Sequence, residues 1–144
     1  MDTSVRQLFE RYERFFNRSL GGDADMAEAA AFYAPEFIAA WPGGVSAGKN
    51  DERLGAVLAQ GYERYRAMGT RAMRLGAIRV SPIDDLHCVA HVAWTATYAR
   101  DDRPETTIDF EVHYLVQSLD GQPRIFGWVT GDEEALLKER GIVS

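Results

Sequence analysis

The stretch that decides the fold is HCVAHVAWTATYAR, residues 87–100, which holds two of the three histidines and the only cysteine of the chain. On a helix, His87 and His91 would lie one turn apart and could bind one metal ion. On a strand, four residues span about 13 Å at roughly 3.3 Å each, and an ion with bonds of ~2 Å does not reach both rings. The β-branched and aromatic residues favour a strand over 86–100. We therefore expect no metal site at this pair.

Segments with the same alternation lie on both sides of this strand. Apolar and polar residues alternate over 71–80, 106–118 and 124–130, which predicts three further antiparallel strands. The alternation slips by one residue near Gly76, which indicates a β-bulge there. Turn-forming residues over 101–105 join the second and third of these four strands.

Helices come before and after the four strands. Apolar residues at helical spacing predict a helix over 4–20 and a long one from the capping residue Asn50 to Gly69. Shorter elements are a helix from Asp25 to about Tyr33, a strand over 37–41, and a C-terminal helix that begins with a capping box of Thr130 and Glu133 and ends near Arg140. This order predicts an α+β fold, a single domain over residues 1–144 with its helices on one face of a curved antiparallel sheet.

The element order and two local phrases carry a resemblance to a known family. The phrases are Phe32-Tyr33-Ala34-Pro35-Glu36-Phe37 and Gly127-Trp128-Val129. The chain resembles the nuclear transport factor 2-like superfamily, with its cystatin-like fold, which includes SnoaL-like polyketide cyclases, ketosteroid isomerases and scytalone dehydratases. The resemblance implies that the sheet wraps around the helices as a cone, and that the internal cavity holds a small hydrophobic molecule.

The strand pairing indicates which side chains face this cavity. A hairpin centred on residues 102–104 places Val92 opposite Tyr114 and Trp94 opposite Val112, so one face of the sheet is apolar and meets the helices. The aromatic residues expected to line the cavity and bind a ligand are Tyr12, Phe16, Trp41, Tyr62, Trp94, Tyr98, Phe110 and Tyr114. Large apolar residues at such spacing also fill ordinary cores, and both interpretations stay open. In a cavity, the hydroxyl of Tyr98 or Tyr114 could orient a ligand carbonyl.

A general acid or base is harder to find. In this register no Asp, Glu or His points inward from strands 86–100 and 106–118. The remaining candidates lie near strand ends and are expected to be turn or cap residues, with Asp109 the exception if its strand bulges; they are Asp84, Asp85, Asp109 and Asp132. Cys88 is expected to be a small apolar filler. No phosphate loop, zinc-ligand cluster or serine elbow is present, so we expect no metal and no cofactor.

The opposite face of the sheet is mixed in character. It carries His91, with His113 on the neighbouring strand in a diagonal position, and Glu111 beside them. These three residues could be solvated, form a network at a subunit interface, or hold a metal. Phe126 and Trp128 are predicted on the same face, which makes it too aromatic to be left in water. We expect a homodimer through this outer face, with His91, His113, Phe126 and Trp128 in the contact.

Composition limits the partners and the location. The formal net charge is −6 and the isoelectric point about 5.0, which argues against nucleic acid as a partner. No uncharged run approaches the roughly 20 apolar residues of a membrane span, and the charged N-terminus lacks the apolar core of a signal peptide. We expect a cytoplasmic protein without membrane contact.

Two functions remain open from the sequence. The first is a small-molecule-binding SnoaL-like protein that could act as a cofactor-independent cyclase, isomerase or dehydratase on a hydrophobic polyketide-like or steroid-like compound. The alternative is a non-catalytic dimeric ligand-binding or accessory module. A titratable side chain inside the cavity would favour the enzyme, because proton transfer needs such a group.

Overall fold

The computed structural model describes residues 1–22 and 25–143 and has the predicted α+β architecture. Its elements in chain order are α1 (Asp2–Leu20), α2 (Met26–Ala30), β1 (Tyr33–Trp41), β2 (Gly44–Lys49), α3 (Glu52–Met68), β3 (Thr70–Pro82), β4 (His87–Arg100), β5 (Arg103–Leu119), β6 (Gln122–Val129) and α4 (Glu133–Glu139). Within the described residues, no helix is long and apolar enough to cross a membrane.

The six strands form one curved sheet in the order β2-β1-β6-β5-β4-β3. β1 runs parallel to β6, and every other neighbouring pair is antiparallel. The sequence predicted a strand only over 37–41 and none over 44–49. β2 was missed because nearly all of its residues are exposed, so it shows no alternation of apolar and polar residues.

The hairpin of β4 and β5 keeps the predicted faces but not the predicted pairing. Its turn is the two residues Asp101 and Asp102, with Arg100 opposite Arg103. After a register shift between Tyr98 and Arg100, the pairings from His87 to Tyr98 differ by two residues from the prediction, and Trp94 lies opposite Phe110. A shift of two leaves each side chain on its face, and the burial of β4 alternates strictly from Cys88 to Tyr98. The predicted bulge near Gly76 is confirmed by a register shift between Leu75 and Ile78.

The pairing of β5 with β6 differs more seriously. Val116 lies opposite Ile125, whereas Tyr114 lies opposite Trp128, so Phe126 is the extra residue of a bulge. The prediction of Gly127 opposite Tyr114, with Trp128 on the outer face, is therefore wrong. Because one extra residue reverses the side-chain direction, Trp128 points inward and packs against Tyr33, with ring centroids 5.7 Å apart.

α1 crosses the inner face of the sheet and is fixed to β3 by Asn17. The Asn17 amide donates to the Met73 carbonyl and accepts from the Met73 amide, each at 2.8 Å. The buried face of α1 consists mainly of Val5, Leu8, Phe9, Phe15, Phe16 and Leu20. The core thus lies between α1 and β3–β6.

Two predicted helix starts are corrected. α1 begins at Asp2 with Met1 as its N-cap, and the Ser4 hydroxyl donates to the Met1 carbonyl rather than capping the helix. Asp51 caps α3, whereas Asn50 donates to the carbonyls of Ala30 and Tyr33. Asn50 thus ties the start of β1 to α2, which brings Tyr33 into the core.

Candidate functional site

A cavity of about 310 Å³ lies between the inner face of the sheet, α1, α3 and the start of α4. This is the lower end of the range for ligand pockets, and at about 30 Å³ per water in the liquid it corresponds to about ten waters. The cavity suits a compound of one or two rings. Its lining residues are Tyr12, Phe16, Tyr33, Leu58, Tyr65, Met73, Trp94, Phe110, Val112, Tyr114, Trp128, Thr130 and Glu133.

Five of the eight aromatic residues singled out in the sequence line this cavity: Tyr12, Phe16, Trp94, Phe110 and Tyr114. They come from α1, β4 and β5, whose inward faces the periodicity located correctly. Their contact with a ligand stays a prediction.

The other three residues do not line the cavity. Tyr62 is 4% exposed and packs edge-on against Phe16, with centroids 5.2 Å apart, so it belongs to the core. Tyr98 is also buried, near the end of β4. Trp41 is 47% exposed, because β1 carries it beyond the cavity to a separate surface depression beside Pro42 and Gly43.

Eight further residues line the cavity, and the aromatic and acidic ones among them were not in the predicted set: Tyr33, Tyr65, Trp128 and Glu133. Tyr33 begins β1, whereas the sequence predicted a helix end at this position. Tyr65 lies on α3, from which only Tyr62 was predicted to line the cavity. A signal for Trp128 was present, because a glycine inside a strand pattern, Gly127, often marks a bulge.

Glu133 is the acidic side chain of the cavity, and it begins α4. The predicted capping box of Thr130 and Glu133 is wrong, since Asp132 caps the helix by accepting from the Ala135 amide at 2.9 Å. The Glu133 side chain is therefore free to face the cavity. Burial raises the pKa of its carboxyl, and the charge of Arg64 opposes this only in part. Arg64 itself donates to Glu134 at 2.7 Å.

Phenol groups surround the space that Glu133 faces. Burial is the main cause that raises the pKa of Tyr65 and Tyr114, and the negative charge of Glu133 raises both further. The same two causes raise the pKa of Tyr98, which lies outside the cavity lining, to about 12. These tyrosines are therefore protonated at neutral pH and act as hydrogen-bond donors.

Tyr114 is the best placed of these donors. Trp94 Nε1 donates to its hydroxyl oxygen at 3.1 Å, so the proton of that hydroxyl is left to donate into the cavity. On the α1 side, the hydroxyls of Tyr12 and Tyr33 lie 3.5 Å apart. A half-buried carboxylate and oriented phenols together can move a proton and stabilise an oxygen that gains negative charge.

The comparisons with known proteins agree with this architecture. Residues 2–133 match the model of a family described as NTF2-like protein (DUF6841). The chain belongs to this NTF2-like family. Among the curated proteins, none matches it.

Solved structures similar to this NTF2-like protein share its fold at low identity. An NTF2-like protein with a cystatin-like fold from Novosphingobium aromaticivorans has a TM-score of 0.70 at 12% identity, covering 99% of this chain and 88% of its own. Aln2 from a Streptomyces species has a TM-score of 0.67 at 18% identity, covering 96% and 94%. A candidate scytalone dehydratase from Novosphingobium aromaticivorans has a TM-score of 0.64 at 11% identity, covering 88% and 80%. Identities this low establish a common fold alone.

The acidic residues considered from the sequence lie outside the cavity of this NTF2-like protein. Asp84 accepts from the backbone amides of Leu86 and His87 in an exposed turn that also contains Asp85, and Asp132 caps α4. Asp109 lies on the outer face and accepts from the Thr95 hydroxyl at 2.6 Å. Cys88 is fully buried, and burial raises the pKa of its thiol, which keeps it protonated and unreactive.

The outer face of the sheet holds a compact histidine pair. His91 lies directly opposite His113, not diagonal to it as predicted, and their Nδ1 atoms are 2.7 Å apart. Glu111 Oε1 is 3.4 Å from His113 Nε2. Phe126 lies edge-on to His87 on this face, with centroids 6.1 Å apart. Trp128, the fourth residue expected here, is on the inner face instead.

Proposed function

We propose that this NTF2-like protein binds a small, mainly apolar molecule that carries a carbonyl or hydroxyl group, and that Glu133 transfers a proton on it. The observation that carries the proposal is a half-buried carboxylate facing the same cavity as the phenols of Tyr65 and Tyr114. The volume of about 310 Å³ favours a one-ring or two-ring compound over a steroid skeleton.

The simplest reaction for this arrangement is a proton shift next to a carbonyl. The Glu133 carboxylate removes a proton from the carbon beside the carbonyl, and the C–H bonding electrons form the enolate. The enolate oxygen accepts the free hydrogen bond of Tyr114. In a substrate with a carbon–carbon double bond β,γ to the carbonyl, the enolate is conjugated with that bond. The protonated Glu133 then returns the proton to the γ-carbon and the double bond moves to the α,β position, so the net change is an isomerisation that needs no other reactant. The raised pKa of Glu133 makes the carboxylate a stronger base than an exposed one.

The test uses 2-tetralone, a two-ring ketone, as the probe. The purified protein is incubated with it in D₂O, and exchange of the protons beside the carbonyl is followed by NMR. We expect exchange faster than in buffer, and loss of about 10²-fold or more of this acceleration in Glu133→Gln. Tyr114→Phe is expected to lose a comparable factor, because it removes the donor to the enolate oxygen.

Glu134→Gln is the matched control, since Glu134 neighbours Glu133 but pairs with Arg64 outside the cavity. It should exchange protons at the wild-type rate. Binding is measured in parallel by saturation-transfer NMR, and Glu133→Gln should still bind. Exchange that is unchanged in Glu133→Gln would overturn the role of Glu133. Binding without any exchange would favour the non-catalytic binding module.

We also propose that the outer face of the sheet contacts a second copy of the chain. Ile38 and Val129 are 43% and 46% exposed on this face. The side chains of Ile38 and Leu115 flank Gly127, which has no side chain to separate them. A solvent-exposed apolar patch of this kind commonly marks a subunit contact.

A further inference from the structure

A second cluster of side chains that can act as metal ligands lies on the outer face, on the opposite side of the sheet from the cavity. His91 on β4 and His113 on β5 are direct cross-strand partners, and Glu111 is two residues from His113 on the same face of β5. One ligand atom from each of the three lies within 4.8 Å of the others. Two imidazoles and one carboxylate form a common protein ligand set of open zinc sites, where water fills the remaining position.

The geometry needs only small side-chain movements to accept an ion. In a tetrahedral site with bonds of about 2.0–2.1 Å, two nitrogen ligands are about 3.3 Å apart. The two Nδ1 atoms, now 2.7 Å apart, would therefore need to separate only slightly. The Glu111 side chain, half exposed, would rotate inward to complete the set. Regular pairing on both sides of this position holds the two strands in register.

The His91 ring is already oriented by a neighbour. Ser81 Oγ on β3 lies 3.0 Å from His91 Nε2 and can accept a hydrogen bond from it. This bond leaves the Nδ1 lone pair directed at His113. Outer partners of this kind fix the tautomer and orientation of metal-binding histidines.

We propose that His91, His113 and Glu111 bind a divalent transition-metal ion, zinc above all, on the outer face of the sheet. Imidazole suits zinc, copper and nickel, whereas magnesium and calcium prefer oxygen ligands. Arg79 lies opposite His91 on β3, and its positive charge weakens the site. The site does not depend on the proposed proton transfer by Glu133, because the cavity and the histidine pair lie on opposite faces of the sheet.

Isothermal titration of chelator-treated protein with zinc chloride tests the site. We expect one ion per chain with micromolar affinity, and at least tenfold weaker binding in His91→Gln and in His113→Gln. Arg79→Gln should bind zinc several-fold more tightly, since it removes a nearby positive charge. Magnesium chloride at the same concentrations should give no binding heat.

His87→Gln is the matched control, because His87 is on the same strand but pairs with Asp84 and Gln117. It should bind zinc like the wild type. Cobalt absorption of the wild type gives a second measurement that needs no variant, with visible bands expected for a four-coordinate site. No detectable zinc binding by the wild type at about 1 mM would overturn the proposal. The dissociation constant would then exceed about 1 mM, which corresponds to a binding free energy weaker than about −4 kcal/mol. Wild-type affinity in the His91→Gln, His113→Gln double variant would also overturn it.

Discussion

Among the side-chain carboxyl groups that the structure describes, Glu133 is the one whose pKa is raised by burial. Because burial raises this pKa, the charged form is less stable in the folded chain than in the unfolded chain. Below the ordinary pKa of a Glu, both folded and unfolded chains are protonated and the cost is absent. Between the ordinary pKa of a Glu and the raised pKa of the folded chain, the unfolded chain has lost its proton while the folded chain still holds it. As the pH rises through this range, the folded state therefore loses stability relative to the unfolded state. We predict that Glu133→Gln raises Tm by a few degrees at pH 7 and leaves it unchanged near pH 3.

Thermal melts followed by circular dichroism at the two pH values measure this difference. Glu134→Gln serves as the control, because Glu134 is exposed and ion-paired with Arg64, and its Tm should not rise at pH 7. A Tm for Glu133→Gln equal to or below that of the wild type at pH 7 would show that the Glu133 charge is well solvated.

At the residue scale, the sequence predicted the direction of a side chain correctly where the alternation of apolar and polar residues along a strand determines it. Trp94 and Tyr114 could be placed at the cavity because the alternation of a strand decides which face a side chain joins. Glu133 could not, because its direction depends on which nearby residue caps α4. Thr130 and Asp132 both fit that role in sequence, and the cap at Asp132 is what leaves Glu133 free.

At the element scale, two glycines of the α3 region are expected to respond in opposite ways to alanine. Gly69 ends the helix with φ of 87°, and a Cβ there would lie 2.8 Å from the Ala99 carbonyl oxygen. Gly61 lies inside the helix, and a Cβ there would meet no atom within 4 Å. We predict that Gly69→Ala destabilises the protein by more than about 1 kcal/mol and that Gly61→Ala stabilises it by about 0.4–1 kcal/mol.

Urea denaturation of the two variants beside the wild type measures both effects. Each variant is the other's control, since the chemical change is the same and only the backbone conformation differs. Equal effects of the same sign would mean that the left-handed turn at Gly69 does not limit the stability of α3.

The strand elements show which part of a sheet a sequence can specify. Period-2 alternation predicted the faces of β4 and β5 correctly, because a pairing error of two residues does not change them. The register itself depends on the turn, and the compact turn at Asp101 and Asp102 could not be told from a longer one by composition. The bulge at Phe126 places Trp128 on the inner face instead of the predicted outer face, since a single added residue reverses the direction of every side chain beyond it.

At the scale of the whole molecule, the outer face has an apolar patch suited to pairing with a second copy of itself. Ile38 on β1 and Leu115 on β5 lie on the outer side of the sheet, with β6 and its Val129 between them. A two-fold axis parallel to β6 would place β1 of one copy over β5 of the other, so the apolar patch would meet the same patch of the second copy. Such an arrangement is isologous, as in most homodimers.

We predict that the protein is a dimer at micromolar concentration and that Ile38→Lys shifts it toward monomer. Ile38 is 43% exposed on the outer face, and a buried lysine without a partner would oppose the contact. Ile83→Lys is the matched control, because Ile83 is 61% exposed in the turn after β3 and should leave the dimer intact. Light scattering coupled to size-exclusion chromatography gives the mass of each species. The contact should persist in high salt, because salt screens charges and does not weaken apolar contacts. A strict monomer in low salt would leave the outer face without a second copy and refute this pairing.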